Sequence, residues 1–306
     1  MVYDLVILGS GPAGLTAAIY ASRKKMRAVI LTKQVGGECL MAPSIENFPG
    51  FLKISGADLI SKIKEQVDKY GVSVKDGLTI SGIEKKNANF LIKTAEGENF
   101  EAKTIIVALG RMPEKLEAAG AKEFEGRGLS FCTICDAPVF AGKDVAVIGG
   151  GNAGLRSAED LLSYAKNIYV LQHKPKFIGD ELTIERLKKT GKVTFLTNAE
   201  TKEIKGNKFV ESLVYEDLAT GEKKELKVGG IFVNIGWIPN AGFLKDFLNL
   251  NEKEEIIIDS LTNETSVKGI FAAGDVSNNL YKQCVIGAAE GAKAALSAHE
   301  YLLLLL

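Results

Sequence analysis

Short apolar runs that stop at glycine recur along the chain. Residues 5–8 are continuously apolar, as a strand covered on both faces requires, and they run into Gly9-Ser10-Gly11-Pro12-Ala13-Gly14. Residues 13–23 are small and apolar and predict a helix lying close on a sheet, and 28–32 predict the next strand. Residues 56–70 predict an amphipathic helix with Leu59, Ile60, Ile63 and Val67 on one face. Short strands are expected near Ser73, Ser81 and Phe90, and a buried strand over 103–110 stops at Gly110. The opening pattern then repeats. A strand over 144–148 meets Gly149-Gly150-Gly151-Asn152-Ala153-Gly154, a helix follows over 153–165, and a strand over 167–171. Further strands are predicted over 192–196, 209–215, 225–228, 230–236, 256–259 and 269–274, before a small-residue helix over 287–301.

Both glycine turns have the G-x-G-x-x-G spacing between a strand and a helix. In that setting the first glycine permits a tight turn, the second lets the backbone approach a pyrophosphate, and the third lets helix and strand pack closely. The anion would sit on the helix N-terminus, where free N–H groups and the dipole favour negative charge. The fold class expected is α/β: two Rossmann-like domains with parallel sheets, the second inserted into the first. The chain would leave the first domain near Pro113 and return near Pro239, giving one domain of 1–112 and 240–306 and an inserted one of 113–239. The first β-α-β unit departs from the usual pattern in one way: its second strand ends at Thr32, where a ribose-binding carboxylate is expected.

Composition narrows the class. Of 306 residues, 38 are Lys or Arg and 38 are Asp or Glu, so the net charge is zero, which argues against nucleic acid as a partner. No apolar run reaches the roughly 20 residues of a membrane span. Residues 302–306 are all leucine and are read as the end of a packed helix. The N-terminus reads as a first strand and not as a signal sequence, so a cytoplasmic protein is expected. Four cysteines are too few for a disulfide scaffold in a chain of this length.

Chemistry concentrates at Cys132-Thr133-Ile134-Cys135-Asp136, just upstream of the second glycine turn. Disulfide exchange needs one thiolate to attack and a second thiol to resolve the mixed disulfide, and an adjacent carboxyl can move the proton. A zinc half-site is the competing reading. It needs two more ligands, and Cys39, Cys284, His173 and His299 do not lie at ligand spacing. Cys39 and Cys284 are read as ordinary buried thiols.

Over nearly its whole length the chain resembles the low-molecular-weight thioredoxin reductase family of flavoproteins. The resemblance rests on Gly9 to Gly14, Gly36-Gly37, Glu46-Asn47-Phe48-Pro49-Gly50, Glu125-Gly126-Arg127-Gly128, Cys132-x-x-Cys135-Asp136, the second glycine turn, Gly274-Asp275 and Tyr281-Lys282-Gln283. It implies a homodimer, an FAD-binding domain of 1–112 and 240–306, and a smaller domain of 113–239 with the Cys pair and, usually, an NADPH site. By the same resemblance Gly9, Ser10, Gly11, Pro12, Ala13 and Gly14 would hold the FAD pyrophosphate. Gly37, Glu38, Asn47, Gly110, Gly274, Asp275, Lys282, Gln283 and Cys284 would line the rest of the cofactor. Cys135 would face the flavin, Cys132 would attack the disulfide of a thioredoxin-like substrate, and Asp136 would serve as acid and base.

The second nucleotide turn keeps Gly149, Gly151, Asn152 and Gly154 but departs from the family beyond them. Arg156 stands where a glutamate is expected. A His-Arg-Arg run that grips the 2′-phosphate is replaced by His173-Lys174-Pro175-Lys176, and no acidic residue stands at Gln172 to favour NADH. A lysine point charge does not replace an arginine fork at a phosphate. Three readings follow. Lys174 and Lys176 still hold NADPH; or a protein such as ferredoxin supplies the electrons, as in a nucleotide-independent branch of the family; or a second flavin occupies the cleft. The ferredoxin reading is placed slightly first, helped by the lysines of 166–192, which could equally be a solvated face. A flavin redox sensor without turnover is the alternative from another functional class.

Overall fold

A computed structural model describes residues 1–42 and 45–305, apart from the side chains of Ile134 and Cys135. The chain divides into two compact units, the first of 1–112 and 238–306 and the second of 113–237.

The first unit opens with β1 (Val2–Leu8), α1 (Pro12–Arg23) and β2 (Ala28–Leu31). A 3-10 turn over Gly37–Met41 and helix α2 (Gly56–Lys69) follow. Ser55 caps α2 by accepting the Asp58 N–H at 3.0 Å. Next come β3 (Ser73–Lys75), β4 (Ile80–Lys86), β5 (Asn89–Thr94), β6 (Asn99–Val107) and the short β7 (Arg111–Pro113).

The second unit holds α3 (Ala121–Phe124), β8 (Leu129–Ser130), α4 (Thr133–Asp136), β9 (Asp144–Ile148), α5 (Asn152–Leu161), β10 (Asn167–Leu171) and α6 (Glu181–Lys189). It continues through β11 (Val193–Leu196), β12 (Ala199–Gly206), β13 (Val210–Asp217), β14 (Glu222–Lys227) and β15 (Gly230–Val233). At the return crossing, β16 (Trp237–Pro239) pairs with β7. The chain then completes the first unit with β17 (Ile270–Ala272) and α7 (Cys284–Leu303).

The two main sheets repeat one design. In the first the parallel order is β3-β2-β1-β6, with β17 beside the end of β6; in the second it is β11-β10-β9-β15-β8. Both are α/β Rossmann sheets, as the apolar runs lead one to expect. β6 serves two partners on one edge: its first half pairs antiparallel with β5, its second half parallel with β17. Alternation sorts the cores. Leu5 and Ile7 of β1 face the helical side with α1, α2 and α7, while Val6 and Leu8 face the opposite side. In the second unit Val145 and Val147 face α5 and α6, while Ala146 and Ile148 face the β12-β13-β14 meander.

Some elements differ from those read in the sequence. No strand forms over 256–259; Ile256 makes only isolated bridges. There the Asp259 carboxylate accepts the N–H groups of Leu261 and Thr262 at 2.8 and 2.9 Å and turns the chain instead. The helix expected over 153–165 stops at Leu161. Strand β12 was hidden because a bulge between Thr201 and Glu203 breaks its two-residue period. Helix α6 was missed although Asp180 caps it through the Thr183 N–H at 2.8 Å. Among the described residues no helix is long and apolar enough to cross a membrane.

Candidate active site

In the first unit the turn after β1 is built by its glycines. Gly9 has φ +100°, and a Cβ there would lie 2.3 Å from the Ala108 carbonyl oxygen. A Cβ on Gly14 would lie 1.9 Å from the Gly9 oxygen, so only glycine lets α1 sit this close to the strand end. Gly11 differs: a Cβ there would meet nothing nearer than the Gly36 oxygen at 3.9 Å. The space before the α1 N-terminus is thus open, and Pro12 at the first helical position removes no needed donor. Ser10 is buried; its hydroxyl reaches Thr32 Oγ1 at 2.8 Å, and its carbonyl accepts the Gly36 N–H at 3.1 Å. Thr32, where a ribose carboxylate was expected, therefore fastens the turn from within. This cradle fits the pyrophosphate of a dinucleotide such as FAD: open backbone at a helix N-terminus with no side chain to displace.

Other residues of the expected FAD wall lie in the same unit. Asn47 donates to Gln283 Oε1 at 3.0 Å. Gly37 (φ +53°) and Gly110 (φ +64°) both have open space where a Cβ would stand. Burial pushes the Glu38 carboxyl above its ordinary value. Gly274 (φ +78°) abuts Ala13, and its N–H donates to Glu290 Oε2 at 2.6 Å. Asp275 pairs with Arg111 at 3.0 Å. The Lys282 ammonium is held within the protein: it donates to the carbonyls of Asp275 and Ser277 and pairs with Glu255 at 2.9 Å. These contacts tie it to the 275–277 turn. Glu290 and Glu255 were missed by the sequence reading. A lone acid among the glycines and alanines of α7 was the available signal for the first.

In the second unit Cys132 is disulfide-bonded, and Cys39 and Cys284 of the first are free thiols. The side chain of Cys135 lies outside the described residues. Cys132 precedes α4, and its N–H donates to Ser130 Oγ at 3.0 Å. The Asp136 N–H donates to the Cys132 carbonyl at 3.2 Å, closing the turn. Thr133 donates to Ser157 Oγ at 2.8 Å and ties this turn to α5. Asp136 also borders a groove of about 790 Å³ with Ser130, Val139, Phe140 and Phe209. Val139 and Phe209 expose 67% and 63% of their surface beside it. Among the described residues no three His, Cys, Asp or Glu side chains gather as a metal ligand set.

This combination of a dinucleotide cradle and a disulfide on a duplicated Rossmann frame matches one family model, pyridine nucleotide-disulphide oxidoreductase, over residues 3–291. The chain belongs to that family. It is 39% identical over 301 residues to a component of the alkyl hydroperoxide reductase of Staphylococcus aureus, covering 98% of this chain and 59% of that protein. This chain thus spans little more than half the length of that relative. Among solved structures it is similar to the thioredoxin reductase of T. acidophilum, with 35% identity, a TM-score of 0.80 and coverage of 99% of each chain. A ferredoxin-flavin thioredoxin reductase from Clostridium acetobutylicum is 29% identical with a TM-score of 0.54, again covering 99% of each chain.

The family takes its name in part from a pyridine nucleotide, and the backbone of the second glycine turn is intact. Gly149 has φ +123° with a Cβ position 2.2 Å from the Asn234 oxygen, and a Gly154 Cβ would lie 1.9 Å from the Gly149 oxygen. A Gly151 Cβ would meet only Ile178, at 3.9 Å. Gly151, Asn152 and Ala153 border a cleft of about 210 Å³ with Asn234 and Trp237. The side chains around it carry little phosphate chemistry. Gln172 is buried beneath the turn, as Thr32 is in the first unit. Asn152 Oδ1 is occupied by the Asp180 N–H at 2.7 Å. Arg156 is exposed on α5 and acts on Asp160, whose carboxyl is raised by burial against the Arg156 charge. Lys174 and Lys176 are exposed, with Pro175 between them.

Proposed function

We propose that the protein is an FAD-dependent disulfide reductase acting on thioredoxin or a similar small disulfide protein. The observation that carries this reading is the bonded Cys132 on a turn fixed by Ser130 and Ser157, with Asp136 one helical turn away beside an exposed apolar groove. The turn of Gly9 to Gly14 would hold FAD, which would supply the two-electron chemistry that opens the disulfide. The remaining chemistry is that of the chain. Cys132 attacks one sulfur of the substrate disulfide and displaces the other as a thiolate, which Asp136 protonates. Cys135 then attacks Cys132, releasing the second substrate sulfur and restoring the Cys132–Cys135 bond. The groove lined by Val139 and Phe209 offers the apolar landing surface that a protein substrate needs. Homodimer assembly is part of this reading.

For the electron donor, a protein such as ferredoxin is favoured over NADPH. The support is the pairing of an intact glycine turn with a surround that lacks an arginine fork and has Gln172 buried. One observation favours NADPH as the second reading: Lys174 and Lys176 are exposed on the strand-end loop of that unit. The flavin's visible absorption under anaerobic conditions tests both. Bleaching by reduced ferredoxin and not by NADPH or NADH, followed by thioredoxin reduction, supports the first. Rapid bleaching by NADPH supports the second. Bleaching by any donor without onward transfer to a disulfide would sink the reductase reading and favour a sensor.

A further inference from the structure

Cys39 and Cys284, 245 residues apart in sequence, bring their Sγ atoms to 3.6 Å in the first unit. Each comes from a different element. Cys39 lies in the 3-10 turn Gly37–Met41, and Cys284 is the first residue of the 20-residue helix α7. The mechanism above uses neither.

Their surroundings make them unequal. The hydrogen bond shared with Cys39 lowers the Cys284 thiol, against burial and the Asp275 charge. Cys284 also meets the unpaired N–H groups and positive dipole end of a long helix, the setting that favours a thiolate. Cys39 is pushed the other way, first by the hydrogen bond it shares with Cys284 and then by its own burial. Its place at the first position of α7 marks Cys284 as the nucleophile, and the Cys39 sulfur lies in contact to resolve it. That is the arrangement a dithiol needs to close. Closing from 3.6 Å to the roughly 2 Å of an S–S bond requires a shift of about 1.5 Å.

We propose that Cys39 and Cys284 are a second redox site, a dithiol that a small hydroperoxide oxidises to a disulfide within the first unit. The oxidant must be small, because Cys39 is only 8% exposed and Cys284 is half-buried. The Cys284 thiolate attacks the peroxide and the O–O bond breaks. Cys284 becomes a sulfenic acid, and the other oxygen leaves as water or an alcohol. The Cys39 sulfur then attacks Cys284, the S–S bond forms and a second water leaves. Two thiols lose two electrons and two protons, and the peroxide gains them. A dithiol reductant reverses the bond by exchange.

The new bond would staple two segments already joined by the hydrogen bond from Asn47 to Gln283. Those segments also contain Gly37 and Glu38, so oxidation would fasten the wall expected around FAD. The inference stands on the thiol pair alone and does not require the reductase reading.

The test uses the full-length flavin-loaded protein, reduced and freed of reductant, then exposed to hydrogen peroxide. Remaining thiols are alkylated under denaturing conditions, and the chain is digested without reduction for mass spectrometry. The expected result is a peptide pair joined through Cys39 and Cys284, two hydrogens lighter than the sum of its parts, absent before peroxide and lost on adding dithiothreitol. Masses distinguish it from any peptide containing Cys132 and Cys135. Full alkylation of Cys39 and Cys284 after peroxide would overturn the proposal. So would conversion of Cys284 to a sulfinic acid with Cys39 still alkylated, since the partner would then have failed to trap it.

Discussion

The Thr133 hydroxyl donates to the Ser157 hydroxyl at 2.8 Å, and both side chains are buried. This bond ties the turn that follows Cys132 to α5, the helix whose N-terminus is the second glycine turn. The disulfide and the nucleotide turn thus share one internal support. Replacing Ser157 by Ala leaves the Thr133 hydroxyl buried with one partner fewer, at a cost of about 1–3 kcal/mol. A lowered denaturation midpoint is expected, with slower thioredoxin reduction and unchanged FAD content. FAD loss on this substitution would show that the bond serves the whole fold and not the disulfide turn.

The glycine turns allow a separation of folding from binding. Gly14→Ala places a methyl group 1.9 Å from the Gly9 oxygen and is expected to yield no folded protein. Gly11→Ala meets only the Gly36 oxygen at 3.9 Å, at a φ of −68° that alanine adopts freely. Its effect on apoprotein stability should stay within about 1 kcal/mol. Its FAD content, read from the absorption ratio of the purified protein, should fall several-fold. Normal flavin content in Gly11→Ala would place the cofactor elsewhere.

The same logic decides the donor. A Gly151 Cβ would meet only Ile178, at 3.9 Å, so Gly151→Ala should fold normally. With a protein donor, its rate of flavin reduction by ferredoxin should match that of the parent. If a nucleotide pyrophosphate approaches this turn, Gly151→Ala should slow reduction by NADPH at least tenfold.

Glu290 gives a pH signature. Burial pushes its carboxyl above the ordinary value, although the Gly274 N–H and the charges of Lys293 and Lys282 oppose the rise. The folded state therefore holds this proton more tightly than the unfolded chain. The stability it contributes is complete below the unfolded value and disappears as pH rises through the folded one. Glu290→Gln keeps an acceptor for the Gly274 N–H without the buried charge. Calorimetry from about pH 4 to about pH 8 should find the variant equal to the parent at the acid end and more stable at the neutral end.

Glu255 works with the opposite sign. Burial raises its carboxyl, but the Lys282 and Asn251 hydrogen bonds and the Lys282 charge outweigh this and leave it below the ordinary value. Its contribution is present above the unfolded value and is lost as pH falls through the folded one. Lys282→Met strands a largely buried carboxylate and should cost roughly 3 kcal/mol near neutral pH. The penalty should shrink in acid, where Glu255 takes up a proton. A pH-independent penalty would assign the effect to lost packing.

Apolar periodicity and glycine spacing made the two Rossmann frames legible, because strands covered on both faces and glycines forced by contact leave local traces. Gly9, Gly14, Gly149 and Gly154 are of that kind. What stayed hidden depended on distance or on broken period. Nothing near Cys39 announces Cys284, and the bulge at Thr201 and Glu203 erased the alternation of β12. The motif around Lys282 gave no sign that its ammonium meets the Asp275 and Ser277 carbonyls and the Glu255 carboxylate, which only folding brings near.

The equivalence of the two sheets hides a permutation. β8, the edge strand beside β15, comes first in its unit, whereas its counterpart β17 comes last in the other. The second unit therefore begins and ends on neighbouring strands and is continuous in sequence. During synthesis it can close as soon as β15 emerges. The first unit cannot: α7 must still arrive to lay Gly291 on Ala13, where a Cβ would lie 2.0 Å from the Ala13 oxygen. Its opening β-α-β segment waits through the whole length of the insert with one face of α1 uncovered. The order of manufacture thus makes the inserted unit the earlier to fold and leaves the turn of Gly9 to Gly14 waiting for α7 to cover α1.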